Sequence, residues 1–597
     1  MATVSQAPTA SGASYLFGAV QPQDVLTRED MGEEERMMAR SLKEFAAQEV
    51  FPNAEAIEAR DWSVIGPLVE KAAELGLFMA EVPEEYGGLN LSVLAIAAMM
   101  EGRSDMGPIS STLYAHQGIG TLPLVNFGTP EQIEKYLESC MNGTRLACFA
   151  LTEPSSGSDA MNIRTTAVLN DEGTHYIVNG SKQWITNAGW AQMMILFAKV
   201  DGQKFTAFIL DAPTPGLTVA ANEDLLGLRS SSVCGLTLEN VAIPVENVLG
   251  EIGRGHKVAL CTLNLGRLKM ATNCAGGGKK ALACAANYAA ERLQFGKPIA
   301  NFGAIQLKLA NMAARVYAAE SNAYRTAGLV YDKSEAMRAE NAGSLEARLS
   351  ALSEFSIECA FSKVFGAEMV NALSDEALQT HGGYGFSEEY APAKMYRDWR
   401  VTRIYEGTSE ICRLSSMKAM LKRGAQGALD IHGAIDSAKS ANPDPAGRTP
   451  KTLTDVMTTV ANFKALFQRM LGLAFDNVGQ EALLNDDRQP ILGALAMIAT
   501  EIFAVESGLL RVLKIREKHS DETTRIPELL VWIYLDRAAR KIRESATEII
   551  TDVVDDPAEA LEDVEGWLPI PRARREMRQE VVTYLTENAG ELPEIVN

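Results

Sequence analysis

The chain has 597 residues, room for several domains at about 100–200 residues each. Apolar residues make up 47% and charged residues 22%, which excludes a disordered, collagen-like or disulfide-scaffold protein. Asp plus Glu (77) outnumber Lys plus Arg (56), a net charge of -21 that argues against nucleic-acid binding. The eight cysteines are scattered with no CxxC pair, so zinc ribbons and thioredoxin-type sites are not expected. They read as buried free thiols in a reducing compartment.

Residues 1–32 are expected to be a flexible tail. They lack the basic start and long apolar core of a secretory signal, and no Arg or Lys precedes Arg28, so a cytoplasmic protein is expected. No run of eighteen uncharged apolar residues predicts a transmembrane helix. Over 33–147 the pattern is helical, with Met37, Met38, Leu42 and Phe45 on one face. Over 148–256 the period switches to two. There HYIVNGSKQWIT reads as a strand, an Asn179-Gly180 hairpin turn and a second strand, within a β domain of barrel or sandwich type. Over 257–430 the long runs Lys257–Glu291, Ala304–Tyr331, Ala347–Thr380 and Glu406–Arg423 predict a helical bundle. A linker follows over 431–452, marked by SANPDPAGRTPK, and 453–597 is helical again. In that last region Leu453, Val456, Val460 and Phe463 recur at helical spacing and predict a packing face.

No HExxH, GxSxG or Walker pattern occurs, and no metal is expected. Gly276-Gly277-Gly278-Lys279-Lys280 lacks phosphate-loop spacing and reads as close helix packing. Three segments stand out. ALTEPSSGSDAMN (150–162) gathers hydroxyls and acids around Pro154 and Gly157, either a solvated turn or a loop that binds an electron-rich ring system. In Lys182-Gln183-Trp184-Ile185-Thr186-Asn187, Trp184 is either core or, with Thr186 on the same face, a stacking surface for a planar cofactor. QTHGGYGFSEEYAPAKMYRD (379–398) breaks a helical region with glycines 382, 383 and 385, and is followed by RIYEGTSEI. Glu406 there is either a carboxylate in the first turn of a helix or a catalytic base.

Together these segments resemble the acyl-CoA dehydrogenase family. ALTEPSSGSD (150–159), WIT (184–186), GLRSS (227–231), PVENVLGEIGRGHKVA (244–259), RLQFGKPIANFGAIQ (292–306), QTHGGYGFSEEYAPAKMYRD (379–398) and RIYEGTSEI (403–411) follow the family's order over about 35–425. Asn162 departs from the small residue usual after the first motif. The region beyond residue 450 resembles the long, very-long-chain-type members and their bacterial relatives. The resemblance implies an α+β multidomain fold: an N-terminal helical domain, a middle antiparallel β-barrel, a C-terminal four-helix bundle and an additional C-terminal helical domain. It implies FAD between barrel and bundle, partly across a subunit interface, in at least a homodimer. By the same resemblance, Phe149, Leu151, Thr152, Ser158, Trp184, Ile185 and Thr186 hold the flavin ring. Arg292, Gln379, Gly382 and Gly383 reach FAD from the neighbouring subunit, with Phe302 near the cofactor and Thr408 and Glu410 by its diphosphate or adenosine end. Ser158, Asn264, Arg267 and Gly407 meet the acyl-CoA.

Such an enzyme takes an α-proton and a β-hydride from a saturated thioester, which requires a base, donors at the thioester oxygen and a hydride acceptor. Some branches of the family place the base just before an Arg on an earlier helix. Here Gly266 holds that position, and the resemblance leaves Glu406 as the base. The implied electron acceptor is an electron-transferring flavoprotein. An acyl-CoA oxidase-like enzyme and a scaffold protein on the same fold are the alternatives. Ala115, Gly118 and Thr121 are small and recur near helical spacing; they form either an open wall for a long acyl chain or a close helix contact. The basic cluster at Arg572, Arg574, Arg575 and Arg578 follows an acidic stretch, so membrane association is not favoured.

Overall fold

The computed structural model describes residues 10–596, so the first nine residues of the expected tail lie outside the described residues. The chain forms two compact units. One comprises Glu33–Lys269 with Arg338–Leu349, and the other comprises the described residues of 10–32, Met270–Met337 and 350–596.

The first unit combines helices with a sheet. The helices Glu33–Phe45, Trp62–Glu74, Val93–Arg103 and Pro130–Met141 match the expected pattern. The last starts cleanly because Thr129 and Gln132 form a capping box and Pro130 takes the first helical position. The sheet has eight strands: β1 (Ala147–Ala150), β2 (Thr166–Leu169), β3 (His175–Thr186), β4 (Met193–Val200), β5 (Lys204–Asp211), β6 (Leu217–Asn222), β7 (Val233–Pro244) and β8 (Val248–Leu249). Its order is β6-β7-β3-β2-β4-β5-β8, with β1 paired to β4. The middle domain is mainly antiparallel as expected, but the β1–β4 and β2–β4 pairings are parallel.

Asn179-Gly180 is not a hairpin turn. It lies within the twelve-residue strand β3, at a register shift against β7. The local Asn-Gly signal is overridden by packing: a Cβ on Gly180 would lie 2.4 Å from the Thr165 hydroxyl.

The second unit is helical. Residues 270–291 of the helix Gly255–Glu291 bundle with Gly303–Ala339, Ser356–His381 and Ser409–Ala425. The helices Leu453–Val478, Gln489–Arg516 and Asp521–Val553 share that hydrophobic core, and Leu453, Val456, Val460 and Phe463 are all buried in it. Gly277 and Gly278 do serve close packing, since Cβ atoms there would strike the Trp399 ring and the Met369 sulfur. The stretch Asp486–Arg516 is long and apolar enough to cross a membrane, but 89% of its apolar window is buried inside the protein.

Three expectations about segment boundaries give way. The run Ala347–Thr380 breaks at Phe355, between the helices Ser344–Glu354 and Ser356–His381. The linker contains a helix, Ile431–Ser440, and a short one at Pro445–Arg448. The described part of the N-terminal segment is not a free tail. Ala13, Tyr15 and Leu16 are buried in the second unit's core, and Tyr15 Oη donates to the Ala499 carbonyl at 2.9 Å. Arg511 grips Glu29, and Lys514 Nζ bonds Asp30 at 2.7 Å. These anchors come from some 480 residues away in sequence, so a local reading of the segment could not contain them.

Candidate active site

In the first unit, the loop after β1 and the end of β3 are fastened to each other. A regular strand sends alternate side chains to opposite faces, so Lys182 and Trp184 should share one. The register shift between Lys182 and Ile185 breaks that phase. Trp184 takes a φ of +55° and its indole is 59% exposed, whereas Lys182 and Ile185 are buried. Thr186, two residues beyond Trp184, is half-buried. The bulge therefore presents an aromatic plate and a hydroxyl on the outside of the sheet.

Leu151 and Thr152 lie beside this bulge. The Gln183 N–H donates to the Thr152 carbonyl at 2.9 Å, and Lys182 Nζ donates to the Leu151 carbonyl at 3.2 Å. Further along the loop, Ser158 is exposed and Gly157 has open space around it. Phe149 packs its ring on Phe197 at 4.9 Å. The side chain of Ile185 belongs to the sheet core, so only its backbone is available to a ligand. On the helix that begins at Gly255, Arg267 Nη1 donates to Asn264 Oδ1 at 3.1 Å, which brings the two expected acyl-CoA residues together.

In the second unit, three of the expected cofactor residues border a cavity of about 610 Å³, and Phe302, Gln379, Thr408 and Glu410 do not. Arg292, Gly382 and Gly383 border it, with Tyr288, His381 and Tyr384. The Arg292 guanidinium lies 5.6 Å from the centre of the Tyr384 ring, and Tyr288 stacks on His381 at 4.0 Å. Gly382, at φ +59°, ends the helix Ser356–His381, and neither it nor Gly383 has an atom within 4 Å of a would-be Cβ. These glycines keep the cavity floor open. Gln379 is exposed on the last turn of that helix, and Phe302 packs under Lys297 Nζ at 4.4 Å.

Glu406 is not in a helical first turn. It precedes the helix Ser409–Ala425, whose cap is Thr408, with Thr408 Oγ1 accepting the Ile411 N–H at 3.2 Å. Glu406 is buried and takes a φ of +59°, followed by Gly407 at +87°. A left-handed conformation costs a glutamate on the order of 1–3 kcal/mol, so the surroundings must impose it. They do so from the helix Ser356–His381. Lys363 Nζ donates to the Gly407 carbonyl at 2.6 Å. Glu368 accepts from Ser409 Oγ at 3.0 Å and pairs with Arg403 at 2.7 Å. Asn371 Nδ2 donates to the Trp399 carbonyl and to Thr402 Oγ1. Sequence reading missed Lys363, Glu368 and Asn371, which sit within an unbroken helical pattern and carry no motif of their own. Glu410 sits in the first turn; its carboxyl is held below the ordinary value by its own peptide N–H, then by Thr408, Arg413 and Lys363.

An exposed indole plate with a neighbouring hydroxyl fits a flat ring, and an open cavity with a guanidinium at its edge fits an anionic nucleotide tail. Each unit by itself thus carries residues that fit a part of FAD. Domain comparisons agree in chain order. Residues 32–144 match the acyl-CoA dehydrogenase N-terminal domain, 148–241 its middle domain and 253–421 its C-terminal domain. Residues 462–559 match a further acyl-CoA dehydrogenase C-terminal domain. The chain is 39% identical over 541 residues to the "Probable acyl-CoA dehydrogenase" of Bacillus subtilis (strain 168), covering 90% of each. It is 36% identical over 489 residues to the mitochondrial very long-chain specific acyl-CoA dehydrogenase of Bos taurus, covering 79% of this chain and 69% of that one. The crystal structure of an acyl-CoA dehydrogenase complexed with FAD from Bacillus anthracis superposes with a TM-score of 0.93 at 37% identity, over 97% of this chain and 99% of the other. With the expected motifs folded into an open indole face and an arginine-edged cavity, and with similarity along almost its whole length, the chain belongs to the acyl-CoA dehydrogenase family of FAD-dependent enzymes.

Proposed function

We propose that this enzyme converts a long-chain fatty acyl-CoA to the trans-2-enoyl-CoA in fatty acid β-oxidation, with Glu406 as the base. The observation that carries the reading is Glu406 itself, a buried carboxylate held at positive φ in a turn pinned by Lys363, Glu368 and Asn371. A thioester α-proton is weakly acidic, and a carboxylate in water takes it poorly. Withdrawal from water strengthens a carboxylate as a base, and a rigid turn holds it in reach of one carbon. The Glu406 peptide N–H is assigned to the thioester oxygen, where negative charge develops. Asn264, Arg267 and Ser158 are assigned to the thioester ligand, with Trp184 and Thr186 against the cofactor ring. FAD supplies the hydride acceptor that no side chain provides.

The long-chain assignment draws on the additional domain at 462–559 and on the similarity to a very long-chain specific relative. The wall at 115–121 gives it no support. Those residues form a wide π-type turn, and a Cβ on Gly118 would lie 2.9 Å from the Tyr114 ring. Gly118 is thus small because an aromatic lies over it. We further assign electron-transferring flavoprotein as the acceptor, a homodimer or larger assembly as the working form, and the cytoplasm as its location.

Flavin bleaching under anaerobic conditions with butyryl-, octanoyl- and palmitoyl-CoA tests the reading. Palmitoyl-CoA should bleach fastest, because each added buried CH₂ contributes about 0.8 kcal/mol. A maximum with butyryl-CoA overturns the long-chain assignment, and peroxide formation in air without an added acceptor overturns the dehydrogenase assignment.

A further inference from the structure

Beneath the indole plate, the first unit buries an ion pair that the reaction chemistry does not use. Lys182 and Glu153 are almost fully buried, with Lys182 Nζ 2.7 Å from Glu153 Oε1. Glu153 Oε1 also accepts the Thr165 hydroxyl at 2.5 Å and the Thr165 N–H at 3.1 Å, and Oε2 accepts the Arg164 N–H at 2.5 Å. Lys182 Nζ reaches the Leu151 carbonyl as well. Burial alone would raise the Glu153 carboxyl, but the Lys182 charge and these donors hold it below its ordinary value. The pair thus ties three places in the chain together: the loop at 151–153, the residues leading into β2, and the bulge in β3. Lys182 faces inward where the phase breaks, and Trp184, two residues on, faces outward. A buried ion pair stabilises a fold less economically than apolar packing of the same volume, so its use here points to placement rather than to stability.

We propose that Lys182 and Glu153 are positioning residues for FAD: their buried lock sets the loop bearing Leu151 and Thr152 against the bulge bearing Trp184 and Thr186, and so sets FAD affinity and the flavin's surroundings. The proposal rests on those two elements facing FAD. A small shift between two surfaces that grip one rigid ring loses affinity out of proportion to the contacts removed.

The test titrates apoprotein with FAD and records the dissociation constant, the shape of the flavin's visible absorption band and the apoprotein's melting temperature. The double variant Lys182→Met/Glu153→Gln removes both charges at similar volume and leaves no lone buried charge. It should melt close to wild type yet bind FAD about tenfold or more weakly, with an altered band. Thr165→Val removes only the hydroxyl donor to Glu153 and should produce the same changes in milder form. It decides the matter if the double variant does not fold. Wild-type FAD affinity and band in a folded double variant overturn the lock, and so does a Thr165→Val protein that melts lower while binding FAD as wild type does. Trp184→Ala is the control on the underlying reading. Weakened binding there supports the FAD-facing surface, whereas unchanged binding overturns the surface and the lock with it.

Discussion

Glu153 and Glu358 are both buried carboxyls that hold a chain segment in place, yet their surroundings shift them in opposite directions. In the first unit, Glu153 touches an ammonium and receives a hydroxyl and two peptide N–H groups. In the second, Glu358 receives the Ala13 N–H at 2.6 Å and feels Arg325 and Arg423 through space. Burial prevails there and pushes Glu358 up to about 7. The difference shows what favours the ionised form of a buried carboxyl: a cation in contact and a hydroxyl donor, beyond peptide N–H groups and more distant charges. It also separates two kinds of tether. Glu153 fastens its loop with a carboxyl held below its ordinary value, while Glu358 fastens the N-terminal segment with a carboxyl raised to about 7.

The largest effect expected is at a third buried carboxyl, Glu406, assigned to chemistry rather than tethering. Glu406→Gln should lower the rate of flavin reduction by about three decades, with FAD content and melting temperature near wild type. Wild-type-like reduction would make Glu406 one more structural carboxyl and remove it from the reaction.

Breaking the Glu153 lock from one side comes next. Glu153→Ala leaves Lys182 buried and unpaired, and should cost about 3–5 kcal/mol in chemical denaturation. A loss below about 1 kcal/mol would mean that water or a shifted loop serves Lys182 as well as Glu153 does.

For Glu358 the test is the pH dependence of stability. Its folded value of about 7 is raised above the ordinary carboxylate range, so the folded state keeps a proton that the unfolded state has released. Its contribution is therefore present at low pH and is lost as pH rises through about 7. Glu153 has the opposite sign: its lowered value lends stability above the ordinary carboxylate range that is lost as pH falls. Glu358→Gln should remove the loss on the alkaline side, worth roughly 3 kcal/mol, and should stabilise the protein at pH 8 (about one unit above that titration). An unchanged pH profile would show that the group is ionised in the fold.

The smallest effect serves as an exposed control. Arg525 pairs with both oxygens of Glu580 at 2.8 and 2.9 Å, but both side chains lie at the surface. Arg525→Ala should change stability by less than about 1 kcal/mol, and less still in high salt.

The candidate-site segments that sequence reading singled out are contiguous. Loop 150–159, Trp184 to Thr186 and Glu406 to Glu410 each carry several functional groups within one turn or strand end, so their composition departs from that of the surrounding element. The parts it missed are dispersed. Lys182 and Glu153 were visible only as members of two separate segments, and their contact spans 29 residues. Lys363 lies 44 residues from the Gly407 carbonyl that it holds. A lysine inside a helical pattern reads as solvated until the fold shows what surrounds it.

By itself the sequence determined the order of helical, sheet and helical regions and the motifs that mark the family, because periodicity and motif chemistry are local properties of the chain. It misread Asn179-Gly180, the segment 10–32 and the stretch 431–452, where local signals for turn, tail and linker were each outweighed by partners distant in sequence. Only the tertiary structure decided that Gly180 makes room for Thr165, that Arg511 and Lys514 hold Glu29 and Asp30, and that one buried carboxyl is lowered while another is raised. Those outcomes depend on which groups are excluded from water together, and burial is a property of the folded chain rather than of any stretch of it.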